Sequence, residues 1–128
     1  MPSINALAVG RVVIGAGSWI APQLTGRLFG IDPANNTQLP YVARLFGVRD
    51  VALGVGALAS NGDARRTWLL LGVACDVADA AAGALAGRDG QLPKPATVLI
   101  TGTALAAAAM GVAVLAGGSG AAAGEAAA

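Results

Sequence analysis

The sequence predicts an all-α fold, a bundle of four membrane-spanning helices, on three observations. Its composition is 55% hydrophobic and only 12% charged, with mean hydropathy +0.67, whereas a soluble domain carries about 25% charged residues. Nine of the fifteen charges collect in four short zones (Arg27 to Asp32, Asp63 to Arg66, Arg88 to Lys94, and Glu125), leaving four long apolar segments between them. The other six, Arg11, Arg44, Arg49, Asp50, Asp76 and Asp79, lie inside those apolar segments. A charge at bilayer depth costs about 2.5–3.5 kcal/mol on insertion scales, so these six require mutual pairing or a polar interior.

The first predicted span covers about residues 4–21 and stops at Pro22, because proline cannot continue a helical ladder. It differs from a cleaved leader: no Lys or Arg precedes it, Arg11 interrupts its apolar core and no small-residue cleavage site follows, so a retained helix is expected. Residues 23–38 are polar and turn-rich, with Asp32-Pro33-Ala34-Asn35-Asn36 at the tip. Leu24, Leu28 and Phe29 can lie along the membrane surface, as an ordinary loop or as a surface helix.

The second span, about 39–60, opens at Pro40 in a first-turn position and closes at Asn61-Gly62. The third covers about 66–87; the fourth, about 96–116, follows Pro93-Lys94-Pro95 and ends at Gly117-Gly118. Each has roughly the twenty residues that a hydrocarbon core about 30 Å thick asks of a helix rising about 1.5 Å per residue. Residues 1–118 thus form one membrane domain, and 119–128 are expected to be a flexible Ala/Gly tail. Arg65 and Arg66, the densest basic pair in the shortest loop, favour cytoplasmic termini in a multi-pass protein of the plasma membrane.

Helical phase groups the charges. Gly72, Asp76, Asp79 and Gly83 recur at i, i+4, i+7, i+11 and share one stripe; Arg11, Gly15, Ser18 and Pro22 repeat the spacing. Asp50, Gly54 and Ala57 form a third stripe, beside Arg49, Ala52 and Gly56. Small neighbours let another helix approach, so these faces should meet protein and not lipid. Arg49, Asp50, Asp76 and Asp79 fall near mid-depth, and the long stem of Arg11 can reach Asp76 or Asp79. Arg44 enters only a turn into its span, and its expected place is the edge of the cluster, snorkelling toward the headgroups. Two arginines would then face three aspartates; arginine keeps its charge, and low dielectric favours the neutral form of a surplus carboxylate. The fourth span, with Thr97, Thr101, Thr103, Ala107 and Gly111, offers hydroxyls and a packing seam, hence a structural role.

Several chemistries are disfavoured. Net charge +1, without basic runs interleaved with aromatics, argues against nucleic acid. Val12-Val13-Ile14-Gly15-Ala16-Gly17 resembles the start of a dinucleotide-binding unit, yet the third glycine is missing and no strand–helix alternation follows, so no cofactor is expected. The aspartates would suit a hard cation, but nearby arginines compete for their oxygens, and without His or paired Cys no transition-metal site is predicted. Ser18 and Ser60 have no histidine base, Cys75 reads as a small buried hydrophobe, and no catalytic motif is recognisable.

The run Arg44-Leu45-Phe46-Gly47-Val48-Arg49-Asp50-Val51-Ala52-Leu53-Gly54, followed by Asp76-Val77-Ala78-Asp79, resembles the signature of small four-span integral membrane proteins classed as domain of unknown function 4267. The resemblance covers the second and third spans best and agrees in length and span number; it implies a membrane helical bundle and supplies no activity. Three uses of the charges follow from the residues themselves. They can be interhelical glue in a structural or accessory protein, a proton- or ion-coupled transport path, or an acid/base site acting on a lipid-like substrate. The expected partners are the lipid bilayer and, through the small-residue faces, a second copy or another membrane protein.

Overall fold

The computed structural model describes residues 3–127, with side chains through residue 117. Among them are five α-helices and no strand: α1 (Ile4–Ile20), α2 (Pro22–Leu28), α3 (Leu39–Ala59), α4 (Gly62–Arg88) and α5 (Lys94–Ala127), with a 3-10 turn at Pro33–Asn35. The tail expected over 119–128 falls outside the residues described at side-chain level.

Local chemistry sets the boundaries. The Ser3 side chain accepts the Ala6 N–H at 3.0 Å and caps α1, which stops one residue before Pro22. Pro22 then serves as the first residue of α2, and the two helices meet at 115°. Gly30, at φ +80°, turns the chain after α2 while the Ile31 N–H donates to Gly26 O at 2.8 Å; Asp32 caps the 3-10 turn through the Ala34 N–H. Pro40 lies in the first turn of α3. The α4 end repeats the device of α2, with Gly90 at φ +73° and the Gln91 N–H on Ala86 O.

Two helices, α4 and α5 through Gly117, are long and apolar enough to cross a membrane, and the bent α1–α2 pair makes up to three. That is fewer than four for identifiable reasons: α1 alone has 17 residues, and α3 carries Arg44, Arg49 and Asp50 within its 21. Each expected span overlaps a helix; α4 starts four residues before its span, at Gly62, and α5 continues past Gly117-Gly118, the expected stop, to Ala127.

Packing is reversed relative to a water-soluble protein. Large apolar side chains such as Val13, Ile20, Tyr41, Leu45, Leu70, Val98 and Leu105 face outward, and the buried positions are mostly Ala and Gly, with Ser18 the largest fully buried side chain. This suits a lipid surround, where close backbone approach and dispersion contacts take the place of hydrophobic burial. Helices α1 and α3 pack antiparallel along their length, Gly15 against Gly47 and Ala8 against Gly54: a Cβ at Gly15 would lie 2.5 Å from Gly47 O. Antiparallel α4 and α5 pack through Gly83 against Thr101 and Gly111 against Val73, while α3 meets α4 and α1 scarcely touches α5. At one end Ala8, Ala57, Leu69 and Val114 close the bundle with Ile4, Leu7, Trp68 and Leu115 around them. At the other, Gly30 reaches the backbone of Ala96.

Close approach at the α1–α3 seam predicts a sharp positional contrast. Gly47→Val, which would meet backbone at Gly15 and Trp19, should lower stability in detergent by about 1–3 kcal/mol, whereas Gly17→Ala, with nothing near its Cβ position, should leave the melting temperature unchanged or raised.

Candidate functional site

The two facing seams place α1, α3 and α4 around a common interior, and the charges gather there. Arg11 lies one helical turn from Gly15 on the tight face of α1, so its guanidinium projects between α3 and α4. There Nη1 donates to Asp50 Oδ1 at 3.3 Å and to Asp76 Oδ1 at 3.1 Å, while Nη2 donates to Asp76 Oδ2 at 2.5 Å. Asp76 is thus gripped by both Nη atoms, the geometry that a planar guanidinium matches best. Gly72 makes the room, since a Cβ at that position would stand 2.9 Å from Arg11 Nη2. Side-chain exposure is 11% for Arg11 and 6% for both Asp50 and Asp76.

A second pair sits beside the first. Arg49 donates from Nη1 to Asp79 Oδ1 at 2.9 Å and from Nη2 to Asp79 Oδ2 at 2.5 Å, with its guanidinium carbon 5.1 Å from the Phe46 ring centre. Its Nε is buried without a hydrogen bond. The pair is about one-third exposed, at the rim of the interior. Arg49 and Asp50 are adjacent in sequence and so point about 100° apart on a helix with 3.6 residues per turn. Each consequently finds a different partner.

Five of the six predicted charges are therefore brought together: Arg11, Arg49, Asp50, Asp76 and Asp79. Arg44 is not. It is exposed, donates from Nε to the Trp19 carbonyl at 3.1 Å and lies 6.0 Å from the Trp19 ring centre. With Trp19 and Tyr41 outward at the same end, it has the setting of a headgroup-level cation.

Beside the network is a cavity of about 800 Å³, lined almost wholly by apolar groups. Asp50, Asp76, Asp79 and Arg11 form its polar part; Phe29, Phe46, Ile100, Ala107 and Met110 contribute to the remainder. α2 and the turn after it close one end, through Thr25, Gly26, Phe29 and Ile31. Wall residues come from both α1 and α5, the helices that barely meet, and the cavity is partly open.

Sequence reasoning missed the cavity, the stacking of Phe46 on Arg49 and the accommodation of Arg11 by Gly72. Signals existed for the last two: Phe46 is three residues before Arg49 on one helix face, and Gly72 lies on the stripe of Asp76. A void left by alanines has no comparable signature. Comparison of the chain with models of protein families, with curated proteins and with solved structures returned no match.

Breaking a buried pair strands its partner, so Asp76→Ala should destabilise the detergent-solubilised protein by about 3–5 kcal/mol, with Arg11→Leu/Asp76→Ala costing less than the two single changes summed. Arg49→Leu/Asp79→Leu should likewise lie nearer wild type than either single substitution. Chemical unfolding of wild type and the two double-substitution cycles in one detergent measures both couplings.

Proposed function

We propose that the chain is a four-span membrane protein that holds a lipid-like molecule in its interior cavity, with the Arg–Asp network serving as the clasp between α1, α3 and α4 and as the polar end of that cavity. The observation that carries this reading is the cavity itself: about 800 Å³, apolar along most of its wall, charged at one place, and partly open. Ligand pockets span roughly 300–1,000 Å³ and pair an apolar lining with a few polar groups. In a bilayer the molecules at hand to occupy such a volume are amphiphiles, entering sideways with their chains against Phe29, Phe46 and Met110.

Membership of the family classed as domain of unknown function 4267 belongs to the same proposal, supported by how the quoted run works: Gly47 and Gly54 seat α3 on α1, while Arg49 and Asp50 engage α4 and α1. Pairing also supports α3 as a span despite its charges, because Asp50 and Arg49 are not presented to lipid alone. A purely structural role for the network is the second reading, favoured by the two-atom pairing of Arg11 with Asp76 and Arg49 with Asp79.

Two measurements test the proposal. Native mass spectrometry of protein extracted in mild detergent should show one retained lipid-like molecule, lost in Ala107→Phe, which puts a ring into the cavity; equal retention by that variant overturns the cavity as the site. Four spans place residues 36 and 61 on opposite sides of the membrane. In a Cys75→Ser background, Asn36→Cys and Asn61→Cys should therefore react with an impermeant maleimide from opposite faces of sealed vesicles, and labelling from one face would remove α3 as a span.

A further inference from the structure

Charge around the cavity is unequal. Asp50, Asp76 and Asp79 all line it, and of the two arginines that hold them only Arg11 does. Arg49 and Asp79 satisfy each other through two hydrogen bonds, which leaves Arg11 facing both Asp50 and Asp76. Asp76 takes both Nη atoms of Arg11; Asp50 has one 3.3 Å contact through Oδ1, shared with Asp76 on the same nitrogen. Asp50 is thus held less tightly than Asp76, although its side chain is only 6% exposed and forms part of the cavity wall. The other groups facing Asp50 are settled: Arg11 from α1, Arg49 on its own helix, Asp76 and Asp79 from α4, while α5 adds Thr103 to the wall and no charge.

From this asymmetry we infer that the cavity is selective for a lipophilic monocation, whose positive centre lies against Asp50 and whose apolar body occupies the space between Phe29, Phe46, Ile100 and Met110. Three carboxyl groups face two guanidiniums, so one carboxyl is in surplus, and a monocation against Asp50 balances its carboxylate form. An anion would meet Asp50 and Asp76 in a medium of low dielectric, where like charges repel strongly. An amphiphile without charge would leave Asp50 as it stands. The inference rests on the cavity reading and adds the sign of the charge to it.

Two probes of nearly the same shape and opposite charge test it: tetraphenylphosphonium and tetraphenylborate. Each is titrated into the full chain reconstituted in phosphatidylcholine nanodiscs, with protein-free nanodiscs as the blank. Tetraphenylphosphonium should bind saturably, about one per chain, and at least about tenfold more tightly than tetraphenylborate. Asp50→Asn should lose a similar factor for the cation, and Asp50→Glu should keep most of it. Because the comparison of the two ions uses unaltered protein, it stands even where a variant does not fold. Equal binding of both ions, or cation binding unchanged in a folded Asp50→Asn, overturns the inference. If lipid is retained and Ala107→Phe expels it while the ions bind equally, the charge preference alone is refuted. If neither lipid nor ion is retained, the cavity reading falls with it.

Discussion

One guanidinium holds the interior together. Arg11 reaches from α1 to Asp50 on α3 and Asp76 on α4, partners 39 and 65 residues away in sequence. Nothing in a hydrocarbon layer can solvate these groups, so each charge exists at that depth only by virtue of the others. Other local features serve the contact. Gly15, Gly47 and Gly54 bring α1 and α3 to backbone distance, and Gly72 leaves on α4 the space that the guanidinium fills. The same dependence accounts for α3, whose three charges make it a poor solitary span. On the proposed four-span reading its passage through a membrane would be coupled to α1 and α4, because only in their company are Arg49 and Asp50 paired.

The distribution of side-chain size explains the cavity. Alanine and glycine draw α1 onto α3 and α4 onto α5, yet the same small residues, continued around the interior at Ala82, Ala86, Ala104 and Ala107, project nothing into the space between the two pairs. Tight seams and a central void thus share one cause. A water-soluble bundle would fill such a void with Leu or Ile because burial from water rewards it. Among lipids that reward is missing, and the long apolar side chains are spent on the outer surface, where Val13, Ile20, Val98 and Leu105 stand. A protein built this way can carry an interior space without the cost that an empty one would impose in water, provided that a chain from the bilayer occupies it.

Much of this was legible in the chain, and the limits have physical reasons. The stripes Arg11-Gly15-Ser18 and Gly72-Asp76-Asp79-Gly83 face inward as helical phase requires, while Pro22, placed on the first stripe by spacing, begins α2 beyond the bend, and Arg44 sits at the edge where its shallow position put it. Partner choice was only half readable: the sequence left Arg11 with Asp76 or Asp79, and it takes Asp76 while Asp79 goes to Arg49, because azimuth around α3 decides which neighbour each of two adjacent charges can see. For α2 the sequence left a loop and a surface helix both open, since so short a segment owes its form to packing of Gly26 against Leu39 and not to its own propensity. Length and composition give two to three candidate spans and not the expected four, since α3 carries Arg44, Arg49 and Asp50 among its 21 residues.

Asp50 is the residue on which glue and site part company. A clasp needs charges in matched number, and Arg11 with Asp76, like Arg49 with Asp79, is already complete: two nitrogens on two oxygens in each case. Adding Asp50 buries a third carboxylate at the expense of its hydration and returns one 3.3 Å contact on a nitrogen already engaged. Leucine there would pack α3 on α1 without that penalty. So weak a hold on a buried carboxylate is accounted for by something else it meets, and Asp50 forms part of the cavity wall, where a bound group would reach it.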